Sequence, residues 1–204
     1  MGFSTTYLGR LDIEPKLNPA EVEWLSAYAE IDRRHFTDPY EVPMNPRAFR
    51  VEQQNKREER YRLEAEARAA QPATSRRKRR PTRSTPDPFT TLTPGDGSPY
   101  PHLDWKPCPT GCCLSWDSRT EKSRMAEAWL QYLIDHFLRP GALARTSGRP
   151  DFADFTFDHV LNGTIAAERD DTRELWLIVC RDNEIDTVQL VAPDIMPWEL
   201  GSYG

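Results

Sequence analysis

Long apolar runs are missing from this 204-residue chain. No stretch approaches the roughly 20 residues that a bilayer-crossing helix needs, so no membrane association is expected. The amino terminus, Met1-Gly-Phe-Ser-Thr-Thr6, lacks a basic segment followed by an apolar one. We therefore expect no secretory leader and a cytoplasmic protein. Glycine is scarce, at 10 residues, and neither G-x-G-x-x-G nor G-x-x-x-x-G-K-[ST] occurs, which argues against a phosphate-cradling loop. Ser115 and Ser118 lack the G-x-S-x-G setting of a hydrolase nucleophile. These absences favour a non-enzymatic protein that acts by binding a partner macromolecule, either protein or nucleic acid.

The residues that are present are unevenly distributed. Residues 39–101 carry 13 basic and 8 acidic side chains, net +5, whereas the remainder carries 14 and 24, net −10. All six tryptophans and all four cysteines lie outside 39–101. A charged, aromatic-poor segment cannot bury enough apolar surface to offset chain ordering, about 1–2 kcal/mol per residue. The composition therefore predicts one domain built from residues 1–38 and 102–204, interrupted by a long charged insertion at 39–101.

The insertion has two parts. Residues 47–70 are good helix formers with opposite charges at helical spacing, as in Glu58–Arg62 and Glu64–Arg68. Phe49, Val51, Tyr61 and Leu63 make too thin a stripe for a core-facing helix, so a solvated helix is expected. The run Ser75-Arg-Arg-Lys-Arg-Arg-Pro-Thr-Arg-Ser84 and prolines 81, 86, 88, 94, 99 and 101 predict an irregular, extended segment after it.

Outside the insertion the pattern is α+β. Residues 5–13 read as a strand. Asn18, Pro19 and Glu21 form an N-cap, a first-turn proline and a capping-box acid for a helix reaching about Ile31. Cys112–Trp116 reads as a short strand. Met125, Ala126, Trp129, Leu130, Leu133, Ile134, Phe137 and Leu138 make one wide apolar face on a helix near 120–138, stopped by Pro140-Gly141. Residues 155–168, the apolar run Leu175–Cys180, and Ile185–Val191 after the Asp182-Asn183 turn complete a three-stranded meander. The Leu175–Cys180 run suits a central strand buried on both faces. The expected fold is a small, mainly antiparallel sheet with two helices packed on one side.

Met1-Gly-Phe-Ser-Thr-Thr-Tyr-Leu-Gly9, Trp129-Leu-Gln-Tyr-Leu-Ile-Asp-His-Phe-Leu-Arg-Pro140, Leu161-Asn-Gly-Thr-Ile165 and Asp182-Asn183 resemble a family of small actinobacterial and bacteriophage proteins. The likeness covers about residues 1–34 and 103–186 and leaves out the basic insertion. It implies a folded family domain. No established activity comes with the family, so it brings no functional residue.

Two clusters carry candidate chemistry. His102, Cys108, Cys112 and Cys113 fall within twelve residues, around the turn Pro109-Thr110-Gly111. Zinc takes four such ligands in a tetrahedron, although C-x-x-x-C-C differs from the usual C-x-x-C spacing. A Cys108–Cys112 redox pair, or unligated thiols on a turn in a reducing compartment, fits the same residues. Cys180 belongs to the core. The second cluster, Arg76, Arg77, Lys78, Arg79, Arg80 and Arg83, suits non-specific contact with nucleic-acid phosphates; a solvated tail explains it as well. Asp158-His159 resembles an acid–base pair, but neighbours on a strand point to opposite faces. His136 is expected to cap the last carbonyls of its helix. The acids Glu168, Asp170, Asp171 and Glu174 fit a polar hairpin turn as well as a hard-cation site.

Overall fold

The computed structural model describes residues 4–43, 46–69, 94–120 and 125–194. Six strands form one antiparallel sheet in the order β2-β3-β1-β4-β5-β6. They are β1 (Thr5–Glu14), β2 (Trp105–Pro107), β3 (Cys113–Trp116), β4 (Val160–Arg169), β5 (Leu175–Arg181) and β6 (Glu184–Val191). The helices are α1 (Pro19–Ala29), α2 (Pro46–Ala69), α3 (Ala126–Leu133) and the short α4 (Leu143–Thr146). Of these, α1, α3 and α4 join the core on one face of the sheet. This is the α+β architecture that the sequence pattern predicts.

Side-chain alternation decides which face is covered. On β1, Thr5, Tyr7, Leu11 and Ile13 are buried while Thr6, Leu8, Arg10 and Asp12 are exposed. The antiparallel register continues the inner rows as Ile13–Leu161 and, across β5, as Ile165–Ile178 and Gly163–Cys180. The run Leu175–Cys180 is buried on only one face, against expectation: Ile178 and Cys180 are buried, but Leu175, Leu177 and Val179 are only half-buried. No described helix covers the outer face, so their apolar side chains remain partly in water.

Helix α1 starts as the sequence predicts. Asn18 Oδ1 accepts from the N–H groups of Ala20 and Glu21, and the Glu21 carboxylate accepts from Asn18 N–H at 2.7 Å. Helix α3 buries Ala126, Trp129, Leu130, Tyr132 and Leu133, then widens into a π turn over Ile134–Leu138, closed by Arg139 N–H to Ile134 O. Trp24, Tyr28, Phe137, Phe152 and Phe155 interlock beneath these helices.

The folded unit reaches further into the charged segment than composition implies. The Arg33 guanidinium is fully buried and donates to Asp96 at 2.6 Å and to the carbonyls of Asp38 and Glu41. It also lies over the rings of Tyr28 and Phe36. Tyr40 packs against Phe137 and Phe152. Residues 39–43 and 94–101 therefore pack against the core as part of the folded unit. Helix α2 is solvated as expected: Tyr61 and Leu63 are 51 % and 54 % exposed. The Arg76–Arg83 run and Phe89 lie outside the described residues.

Candidate metal centre

The hairpin β2–β3 brings three thiols together. Trp105 faces Trp116, Lys106 faces Ser115 and Pro107 faces Leu114, which places Cys108 opposite Cys113. Cys108 N–H donates to Cys113 O, and Gly111 N–H donates back to Cys108 O, closing a four-residue turn. Pro109 supplies the fixed φ such a turn favours at its second position. Gly111 sits at φ +73°, where an added Cβ would fall 2.4 Å from Leu17 O, so the tip must be glycine. Ile13 N–H to Cys112 O and Leu17 N–H to Gly111 O then tie the tip to the end of β1 and to the chain that follows it.

The sulfurs of Cys108, Cys112 and Cys113 all lie within 4.8 Å of one another. Cys108 Sγ is 3.5 Å from Cys112 Sγ, and the Thr110 hydroxyl stands 3.2 Å from the first and 3.3 Å from the second. Cys113 is buried and the other two are half-buried; none is in a disulfide. Burial pushes the Cys108 thiol up, but hydrogen bonds from Thr110, Cys113 and Cys112 outweigh it and hold the group at about 6. Cys113 is driven the other way, to about 12, first by burial and then by donating to the other two sulfurs. The cluster thus places negative charge on Cys108 and keeps a proton on Cys113. A bound cation would replace that proton. Three close thiols of this kind can hold a metal ion.

His102 stands apart from the thiols with which its sequence position groups it. Its Nε2 is 3.9 Å from Asp32 Oδ2, in a shallow cleft with Glu30, Asp117 and Arg119. Five residues, including strand β2, separate it from Cys108, and it is not among the residues whose ligand atoms cluster there. Cys180 is the core residue expected: its thiol donates to Leu161 O, and burial raises it to about 11.

The other candidates have structural partners. His136 bonds the Tyr40 hydroxyl at 2.9 Å and stacks on Tyr132, rather than meeting the helix carbonyls. His159 precedes β4, and its close partner is Glu21 rather than Asp158: Nε2 lies 3.1 Å from Glu21 Oε1, while Nδ1 is 3.9 Å from Asp158 Oδ1. Among the four acids near the β4–β5 turn, Asp171 is bonded to Arg169, Glu168 pairs with Arg173 and Glu174 accepts from Gln189. Among the described residues, no helix is long and apolar enough to cross a membrane.

Sequence reasoning missed the Thr110 hydroxyl, although the Cys-Pro-Thr-Gly-Cys turn places it between the two sulfurs it touches. Comparisons find no family model, no curated protein and no solved structure that matches this chain.

Proposed function

We propose that this is a binding protein without turnover chemistry, and that Cys108, Cys112 and Cys113 hold one soft metal ion of the zinc class. The carrying observation is the spacing of the sulfurs, all within 4.8 Å, with the closest pair at 3.5 Å. A tetrahedral ion with metal–sulfur bonds of about 2.3 Å needs sulfurs about 3.8 Å apart. The hairpin therefore needs only small side-chain adjustment to bind. Three protein donors leave the fourth position to water or to a donor brought by a partner macromolecule.

Elemental analysis of protein purified without chelator tests this reading. About one zinc per chain is expected, falling well below half in Cys108→Ser or Cys113→Ser. Cobalt substitution should add the intense near-ultraviolet thiolate band that three sulfur ligands produce. Protein with all thiols titratable, no zinc and no cobalt band would refute the proposal.

A further inference from the structure

The two edges of the sheet are built differently. At one edge, β2 has three residues, ends in Pro107 and carries Lys106, all features that stop another strand from adding. At the other edge, β6 has eight residues, Glu184–Val191, with no proline, lysine or arginine. Its far side has no strand partner among the described residues. Val188, Leu190 and Val191 on it are 46 %, 53 % and 46 % exposed. The row Leu8–Ala166–Leu177–Val188 crosses four strands on the uncovered outer face and ends at this edge. Leu8, at its far end, is 69 % exposed.

We infer that β6 is an interface for a second copy of this chain, paired antiparallel across a two-fold axis at Val188. An unpaired edge offers a line of main-chain donors and acceptors, so the occupant must be an extended strand. A second copy supplies one and continues the apolar outer-face row across the edge, and the charges on β6 then select its register. A two-fold axis normal to the sheet keeps both outer faces on the same side, so only residues of one face can stand opposite each other. A centre at Asp186 would oppose two carboxylates. A centre at Val188 sets Asp186 opposite the partner copy's Leu190 and Thr187 opposite its Gln189. The two Asp186 side chains then stand about 13 Å apart along the strands, beyond the roughly 8–10 Å over which salt leaves charges coupled. The same centre joins the two apolar rows end to end through a Val188–Val188 contact. The bulge opposite Leu175–Trp176 places its extra residue at Leu190, two residues from this centre, so regular pairing is expected over Thr187–Gln189 and a bend at the Asp186–Leu190 pairs.

Sedimentation equilibrium of the full chain tests the interface, with reductant and chelator present so that neither thiols nor metal can link copies. At about 100 µM the expected mass is twice the 23.6 kDa of one chain. Val188→Lys opposes two ammonium groups at the axis and should weaken association at least tenfold, with a thermal melt matching that of the wild type diluted until it is monomeric. Val188→Cys should cross-link under mild oxidation, because facing strand residues meet disulfide geometry there. Asp186→Cys should cross-link far more slowly. A wild-type monomer at that concentration, a dimer indifferent to Val188→Lys, or equal cross-linking at 186 and 188 would each overturn the inference.

Discussion

Glu21 Oε1 and His159 Nε2 lie 3.1 Å apart with both side chains about 1 % exposed, which joins the first turn of α1 to the entry of β4. Every polar atom of the pair is engaged. His159 Nδ1 faces Pro15 O at 2.6 Å, and Glu21 also accepts from the Thr156 N–H and from Asn18 N–H. Burial would push Glu21 up, yet the bonds from His159, Thr156 and Asn18 hold it below its ordinary 4.5. Burial would likewise push His159 down, yet Glu21 and the Pro15 carbonyl hold it above 6.5.

The signs of these shifts give a pH prediction. His159, raised, contributes fully below 6.5 and loses its contribution as pH climbs through its higher folded value. Glu21, lowered, contributes fully above 4.5 and loses its contribution as pH falls through its lower folded value. The pair should therefore stabilise the fold most between 4.5 and 6.5. Urea unfolding across a pH series should show that maximum. Glu21→Gln should cost on the order of 3 kcal/mol within it and flatten the profile, since it leaves a buried imidazolium without its counter-charge. An unchanged profile in Glu21→Gln would show that the pair does not couple folding to protons.

A second prediction concerns the insertion. Both its ends meet on one guanidinium: Glu41 O and Asp96 each bond Arg33. A short flexible link can therefore replace residues 46–92, since the cost of closing a loop grows only slowly with its length. That deletion should leave the melting temperature within a few degrees of the intact protein. Asp96→Ala should cost about 3–5 kcal/mol, because it strands a buried cation. A deletion as damaging as Asp96→Ala would mean that residues 46–92 support the core.

Which parts of this fold could be read from the chain depends on the range over which each signal acts. The apolar face from Ala126 to Leu138 and the Asn18–Pro19–Glu21 cap are local patterns, and both stand where the sequence puts them. Strand β2 is three residues long, too short for any periodicity to show. The bonds Arg33–Asp96 and Glu21–His159 join residues 63 and 138 positions apart, so no spacing rule reaches them. Charge made residues 94–101 look like insertion, because Asp96 counts as a solvated acid until Arg33 is placed beside it. In the candidate site, the thiols met because a turn of four residues brings Cys108 and Cys112 to the same place. His102 lies six positions before Cys108 with β2 between them, and it stands beside Asp32 instead. The outer-face row is invisible for a related reason: Leu8, Ala166, Leu177 and Val188 lie on four separate strands, and only the register aligns them.

The thiols themselves give the last prediction. With Cys108 held at about 6 and Cys113 at about 12, the metal-free, reduced cluster should not be alkylated evenly. Only the thiolate attacks, so at neutral pH iodoacetamide should modify Cys108 first and the buried Cys113 last. The Cys108 rate should fall about tenfold per unit below pH 6 and level off above 7, where the thiolate is already formed. Thr110→Val removes one of the bonds that favour the anion and should shift this midpoint upward, toward the ordinary 9.0 of a thiol. Timed alkylation with peptide mapping by mass spectrometry distinguishes the three cysteines. A Cys108 midpoint near 9.0 in the unmutated protein would mean that the surrounding donors do not outweigh burial at this sulfur. The cluster would then hold one more proton at neutral pH, and its metal affinity would fall more steeply with acid.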